Sequence, residues 1–136
     1  MKRDKLVQMS RVTEAMYLAE YRKVQTVLQE EARIRGALAQ LREQADTGRA
    51  ALAGDMPMQT IGADLLWQAW LERSRKQLNI ELSQVLARKS VVMDRVRQAF
   101  GRRNAVQQMQ GKAVADHRAE RRKTQLERLL QDHRNG

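Results

Sequence analysis

The sequence contains no cysteine and one proline, and its aromatic residues are limited to two tryptophans, two tyrosines and one phenylalanine among 136 residues. Without cysteine, the chain can form neither a disulfide framework nor a thiolate metal site. Compact globular cores draw much of their buried area from aromatic side chains. Their scarcity therefore argues against a thick core and a sizeable ligand cavity. Leu, Ala, Gln, Glu and Arg are abundant instead, which is typical of a long helix or coiled coil.

Long apolar runs are also lacking. The longest runs of large apolar residues, at 65–67 and 91–93, are only about three residues long. No segment is therefore expected to span a bilayer. The charged start of the chain is not followed by an apolar stretch, so no signal peptide is predicted. We expect a cytoplasmic protein.

Positive charge is abundant and unevenly distributed. The chain has 26 Lys and Arg against 16 Asp and Glu, a net charge of +10. Residues 88–136 hold thirteen basic and five acidic side chains, so this stretch carries +8 of the total. The C-terminal portion is therefore expected to bind an acidic partner surface.

Helix-breaking residues cluster in one place, within fifteen residues of each other: Gly48, Gly54, Pro57 and Gly62. This cluster predicts a turn between two helices. We place the helices at 3–52 and 61–133, with the turn at 53–60. Thr60 or Asp64 is suited to cap the start of the second helix.

The spacing of apolar residues supports two helices with narrow buried seams. In the first helix, residues three and four apart form one seam, interrupted only by Glu31: Val24, Val27, Ile34, Leu38, Leu41 and Ala45. Upstream, Met9 and Met16 are seven apart but Met16 and Val24 are eight apart, which indicates a local change of phase. In the second helix the seam repeats every seven residues: Leu71, Leu78, Val85, Val92, Ala99, Val106 and Ala113. These patterns predict an all-α fold in which two long helices form an antiparallel coiled-coil hairpin.

The second helix is longer than the first, so part of it should remain unpaired. With a turn centred near residue 56, residue 6 faces roughly residue 106, and good pairing should end near Ala113. From Asp116 to Gln125 the only apolar residue is Ala119. A short apolar stripe follows, formed by Leu126, Leu129 and Leu130. A helix that is polar all round is solvated or contacts a partner.

Residues that could carry chemistry are sparse. No phosphate-binding loop, nucleophile motif or metal-binding histidine pair is present. His117 and His133 lie sixteen residues apart in the polar tail. Glu30 and Glu31 are adjacent and point to different faces of a helix, which favours solvated or inter-helix ion pairs over acid–base catalysis. We therefore predict no catalytic residues, metal, cofactor or small-molecule substrate.

The aromatic residues allow two interpretations. Trp67 and Trp70 lie on one side of the start of the second helix, where they either cover the hairpin near its turn or form a partner-binding patch. Tyr17 and Tyr21 should face residues 91–100, and internal packing is favoured for them over a site.

The basic end of the chain has three readings. Its cluster of Arg118, Arg121, Arg122 and Lys123 is a solvated face, a nucleic-acid-binding surface or a site for an acidic protein. The basic segment has no stacking aromatic residue and no known nucleic-acid-binding motif, so nucleic acid is the less favoured partner.

The chain resembles the FliJ family, the coiled-coil stalk proteins of the bacterial flagellar export apparatus, with relatives in type III secretion injectisomes. The likeness extends over nearly the whole chain. It consists of the length, the Gly/Pro turn at 54–62, the longer second helix, the run LLWQAWLERSRKQL at 65–78 and the basic end HRAERRKTQLERLLQDH at 117–133.

The resemblance implies a non-catalytic protein at the cytoplasmic face of the export apparatus. Its expected partners are the hexameric export ATPase, the membrane export gate protein and export chaperones, and the free hairpin is expected to be monomeric. Residues implied to face the gate are Trp67, Trp70, Leu71, Ser74 and Leu78. Those implied to lie near the ATPase are Arg118, Arg121, Arg122 and Lys123. The alternatives are a basic coiled coil that binds nucleic acid and a general coiled-coil scaffold.

Overall fold

The fold was derived from a computed structural model that describes residues 2–51 and 58–135. Within these ranges the chain forms two helices and no strand: α1 spans Lys2–Ala51 and α2 spans Met58–Asn135. The two helices pack against each other, which confirms the predicted all-α helical hairpin. Because α2 begins at Met58, Thr60 and Asp64 lie inside the helix and do not cap it. The predicted turn residues 53–57 lie outside the described residues, and residues 58–60 are helical.

The chain divides into two compact units. The central unit combines residues 22–51 of α1 with residues 58–94 of α2, and the terminal unit combines residues 2–21 with residues 95–135. The core of the central unit consists of Val27, Ile34 and Val85, and the side chains of Ile34 and Val85 are only 0% and 1% exposed. Four partly buried residues pack against this core: Leu38, Leu78, Leu82 and Val92.

The seven-residue repeat predicted for α2 forms its buried seam. In the central unit Val85 is buried, and Leu71, Leu78 and Val92 are partly buried. In the terminal unit Ala99 and Val106 are buried, and Ala113 is partly buried. Because successive heptad positions stay on one side of a helix, one row of apolar residues suffices to pack against a single partner helix.

The α1 seam of the terminal unit differs from the prediction. Met9 and Met16 are both exposed. Glu14 aside, the partly buried positions alternate between spacings of four and three residues, and most of them are polar: Leu6, Ser10, Thr13, Tyr17 and Glu20. This spacing reaches Val24 without a change of phase, so the predicted phase change is wrong. Thr13 can occupy this partly buried seam because its hydroxyl donates a hydrogen bond to the Met9 carbonyl at 2.8 Å.

The pairing in the terminal unit lies about one helical turn from the predicted register. Residue 6 was expected opposite residue 106, whereas the Gln110 side-chain amide donates to the Leu6 carbonyl at 3.5 Å. No described residue beyond Ala113 is even partly buried. The end of close pairing predicted near Ala113 is therefore confirmed. We refer to the exposed residues 114–135 as the overhang.

Ion pairs between the helices flank the core of the central unit. Arg88 pairs with Glu30 at 3.2 Å, and Lys89 donates to Glu31 at 2.7 Å. Arg35 also donates to Glu31 at 3.3 Å, from one turn further along α1. The prediction that Glu30 and Glu31 form ion pairs is confirmed, and Glu31 interrupts the apolar seam because it binds a lysine of the facing helix.

The Glu31 pair predicts a specific dependence of stability on pH. Hydrogen bonding from Lys89 lowers the pKa of Glu31 from its ordinary value of 4.5. A carboxyl group whose pKa is lower in the folded state stabilises the fold above its ordinary pKa, and that contribution is lost as pH falls through the lowered value. We expect Glu31→Gln to reduce the loss of thermal stability between pH 5 and pH 3, measured by circular dichroism.

The control for this measurement is Glu43→Gln, because Glu43 is exposed and lies on the same helix of the same unit. Its acid dependence should match that of the unchanged protein. Equal acid dependence in the Glu31→Gln variant and the unchanged protein would show that the Glu31 pair does not contribute.

Candidate partner-binding surfaces

The two tryptophans stack on each other at the start of α2 in the central unit. Their ring centroids are 5.1 Å apart and their planes differ by 17°. A Cβ atom at Gly48 would lie only 3.2 Å from Trp67 Nε1, so the lack of a side chain at Gly48 makes room for the indole. Both rings retain substantial exposure. The tryptophans therefore cover part of α1 and also present an aromatic surface to solvent.

The five residues assigned to the gate-facing surface divide between two open grooves of the central unit. Trp67 and Leu71 line one groove, with a volume of about 870 Å³, together with Leu38 and Leu41 of α1. Trp70, Ser74 and Leu78 line the second groove, together with α1 residues that include Ala37 and Gln40. Leu78 also packs against the Val27, Ile34 and Val85 core. Leu78 therefore contributes to folding, whereas Trp70, which lines the same groove, is more exposed to solvent than Leu78.

Three exposed apolar residues near the tryptophans were not assigned from the sequence. Leu65 and Leu66 are 63% and 74% exposed, and Ile61 is also exposed. Ile61 and Leu65 are four residues apart, as are Leu66 and Trp70, so each pair lies on one side of the helix. The two pairs lie on different sides, because Ile61 and Trp70 are nine residues apart and project in opposite directions at about 100° per residue. Together the four side chains cover about half of the helix circumference, and we define them as the outer apolar face: Ile61, Leu65, Leu66 and Trp70. The sequence contains a signal for this face: the apolar residues at the start of α2 point to more sides of the helix than one packing partner can cover.

Aromatic and charged residues of the terminal unit form a separate cluster. The Tyr17 and Phe100 ring centroids lie 5.9 Å apart, as expected for a tyrosine that faces residues 91–100. The Arg103 guanidinium carbon lies 4.2 Å from the Tyr17 centroid, and Arg103 also pairs with Glu14 at 3.4 Å. Cation–π and ionic contacts therefore substitute for apolar burial between these parts of α1 and α2. The cluster is explained by packing.

The overhang presents its basic residues to solvent. All four assigned residues are exposed: Arg118, Arg121, Arg122 and Lys123. Among the described residues, none of the four forms a salt bridge, whereas Arg88, Lys89 and Arg103 pair with carboxylates of α1. The overhang cations are therefore available to an external anionic group, which would not have to displace a partner within the chain.

The overhang also carries exposed leucines. Leu126, Leu129 and Leu130 are 60%, 66% and 58% exposed. Positions three and four apart share one side of a helix. The short apolar stripe predicted from the sequence is therefore unpartnered within the described chain.

Residues 2–51 and 58–135 contain no group of three or more His, Asp or Glu side chains arranged to hold a metal ion. Neither helix has, within those ranges, a stretch long and apolar enough to cross a membrane. Exposed apolar and basic surfaces are the features of this part of the chain that point to a role.

Comparison with known proteins did not place the chain in a family. A scan against protein-family models and searches of curated proteins and solved structures found no match.

Proposed function

We propose that this protein is a non-catalytic stalk of the flagellar or related type III protein export apparatus. In this role it binds the hexameric export ATPase and the membrane export gate protein at the cytoplasmic face, and it escorts export chaperones. The observation that carries the proposal is the basic overhang, whose cations are exposed and unpaired among the described residues. The resemblance to the FliJ family supplies the identity of the partners.

The overhang suits contact with the inside of a protein ring. It is a single helix, and no described residue from 114 onward is buried against α1. A single α-helix is about 10–12 Å wide with its side chains, which is thin enough to enter a pore. Four exposed cations within six residues favour a pore lined by carboxylates, because complementary charge raises the rate of association and restricts the choice of partner.

The outer apolar face suits contact with the gate protein. It combines a tryptophan with three exposed aliphatic side chains. Tryptophan is enriched among the few residues that supply most of the binding energy of a protein interface, and burial of exposed aliphatic side chains beside it adds further free energy. The two proposed partners thus bind chemically different surfaces of the chain: a basic surface on the terminal unit and an apolar surface on the central unit.

The proposal is tested by adding the purified chain to the purified export ATPase of the same cell. We expect the chain to promote hexamer formation, measured by analytical ultracentrifugation, and to raise ATP turnover. The stimulation should weaken between low and physiological salt because screening acts on exposed charges. An ATPase that stays unassembled and unstimulated at a saturating concentration of the chain would refute the ATPase role.

A separate prediction concerns the gate. We expect Leu65→Gln combined with Leu66→Gln to weaken binding to the cytoplasmic domain of the gate protein by at least about tenfold. Folding should be unaffected because both side chains are mostly exposed. Binding is measured by calorimetry, and circular dichroism checks the fold.

The matched control for the gate measurement changes the overhang. Arg121→Gln combined with Arg122→Gln should leave gate binding unchanged while it weakens binding to the ATPase. Equal gate binding by the Leu65/Leu66 variant and the unchanged protein would remove the outer apolar face from the gate contact.

A further inference from the structure

We infer that the leucine stripe of the overhang, formed by Leu126, Leu129 and Leu130, docks into an apolar groove of a protein partner whose rim carries carboxylates. This inference rests on the proposed function, since we assign the groove to the export ATPase. It adds an apolar anchor to a contact otherwise described by charge. The leucines would act together with the basic residues that precede them.

The stripe has the geometry of a helix that binds in a groove. Leu129 and Leu130 follow Leu126 by three and four residues, so the three side chains project from one side of the helix. Ala119 lies seven residues before Leu126 and extends the same side with a small residue. Helices that dock into grooves present anchors with this spacing.

No described part of the chain covers the stripe. Its three leucines are each at least 58% exposed, and every described residue from 114 onward is exposed. Among the described residues, the last hydrogen bond from α2 to the start of α1 is made by Gln110, about four turns before Leu126. Single exposed leucines are common on protein surfaces, but three adjacent ones on an otherwise polar helix indicate an interaction site.

The charges around the stripe favour an acidic protein as the occupant. Arg122 and Lys123 precede Leu126 by four and three residues, so they lie beside the stripe. A groove that accepts the leucines would therefore bring its rim close to both cations, and carboxylates there would form charge-assisted contacts. A second copy of this chain is disfavoured because it would bring a net charge of +10 toward another +10.

An anionic membrane fits the segment less well than a protein groove. Four carboxylates lie within the overhang: Asp116, Glu120, Glu127 and Asp132. An anionic bilayer would repel them, whereas a protein groove can place cations opposite some positions and carboxylates opposite others. Three leucines also provide little apolar area for membrane insertion compared with amphipathic membrane helices.

The two parts of the surface should affect different stages of binding. Exposed basic residues steer the encounter, so their removal should lower the association rate and the dependence on salt. Leucines that become buried only in the complex should act on its lifetime, and their removal should raise the dissociation rate. This separation allows the stripe to be tested apart from the charge.

The test measures binding of the full chain to the purified export ATPase by biolayer interferometry at several salt concentrations. The stripe variant carries Leu126→Gln, Leu129→Gln and Leu130→Gln, and glutamine keeps a high helix propensity. The control variant carries Leu65→Gln and Leu66→Gln, which remove leucines of similar exposure from the central unit. We expect the stripe variant to bind on the order of 100-fold more weakly through faster dissociation, with an unchanged salt dependence. The control should bind like the unchanged protein.

Two results separate the inference from the proposed function. If the unchanged protein binds the ATPase and the stripe variant binds equally well, the inference is overturned and the proposed function stands. If the unchanged protein does not bind the ATPase, both are overturned.

Two further measurements test the other occupants. A concentration-dependent dimer of the unchanged protein that is lost in the stripe variant, seen by sedimentation equilibrium, would assign the stripe to a second copy and overturn the inference. Co-sedimentation with phosphatidylglycerol vesicles that is lost in the stripe variant would assign it to a membrane, with the same consequence. Absence of both, together with weaker ATPase binding, supports the protein groove.

Discussion

Replacing Ile34 with aspartate is expected to lower the free energy of unfolding by at least about 4 kcal/mol and to abolish the cooperative thermal transition. Ile34 is fully buried in the core formed with Val27 and Val85. Loss of a buried isoleucine alone costs roughly 2–5 kcal/mol, and an unpaired buried charge adds a further penalty. Small domains have only about 5–15 kcal/mol of stability, and a core of three buried residues places this hairpin at the low end of that range, so one such change should remove most or all of its stability.

The hairpin has little capacity to compensate for this change. Among its described residues, the core of the central unit consists of one buried row from each helix, so a defect at Ile34 interrupts the continuous apolar contact that they form. The Arg88–Glu30 pair beside the core is partly exposed, and pairs of that kind contribute at most about 1 kcal/mol, which offsets little of the loss at Ile34.

Urea denaturation followed by circular dichroism measures the effect. The matched control is Leu28→Asp, because Leu28 lies on the same helix and in the same unit but is 43% exposed. It should cost no more than about 2 kcal/mol, from the loss of partial burial and the lower helix propensity of aspartate. Similar losses in the two variants would show that the Ile34 core does not dominate stability.

The fold was predictable because helical periodicity depends on few residues. Seven α2 positions spaced seven apart, from Leu71 to Ala113, all became buried or partly buried. The first twenty residues of α1 were harder, because their seam uses Ser10, Thr13 and Glu20 and not the nearby methionines. Polar side chains can occupy a seam when local hydrogen bonds or facing charges satisfy them, and apolar spacing cannot reveal this.

The candidate surfaces were predictable only in part. The excess of basic residues and the scarcity of apolar ones identified the overhang as exposed, since a polar helix has no face to bury. The arrangement of the tryptophan region was harder to predict from the sequence. Spacing placed Trp67 and Trp70 on one side of α2, but only the packing of α1 shows that Trp67 covers Gly48 while Leu65 and Leu66 face solvent.

Removal of residues 114–136 is expected to leave the hairpin folded and to weaken binding to the export ATPase by at least about 100-fold. No described residue of the removed segment is buried, so the thermal midpoint should change by no more than about 3 °C, although the total helical signal falls. The loss of binding follows from our proposal that the basic cluster and the leucine stripe both contact the ATPase, and removal of several interface anchors abolishes most of the affinity.

The double variant Leu65→Gln and Leu66→Gln provides the opposite case, because it should lose gate binding and retain ATPase binding. Circular dichroism, calorimetry with each partner and ATP turnover distinguish the two proteins. Full stimulation of the ATPase by the shortened chain would contradict the proposed position of the contact. A large fall in the thermal midpoint would instead show that the overhang stabilises the hairpin. We assign the overhang to a partner because its described residues are not buried in the fold. Shortening the chain therefore tests two statements in one protein: that the overhang does not stabilise the hairpin, and that it binds the ATPase.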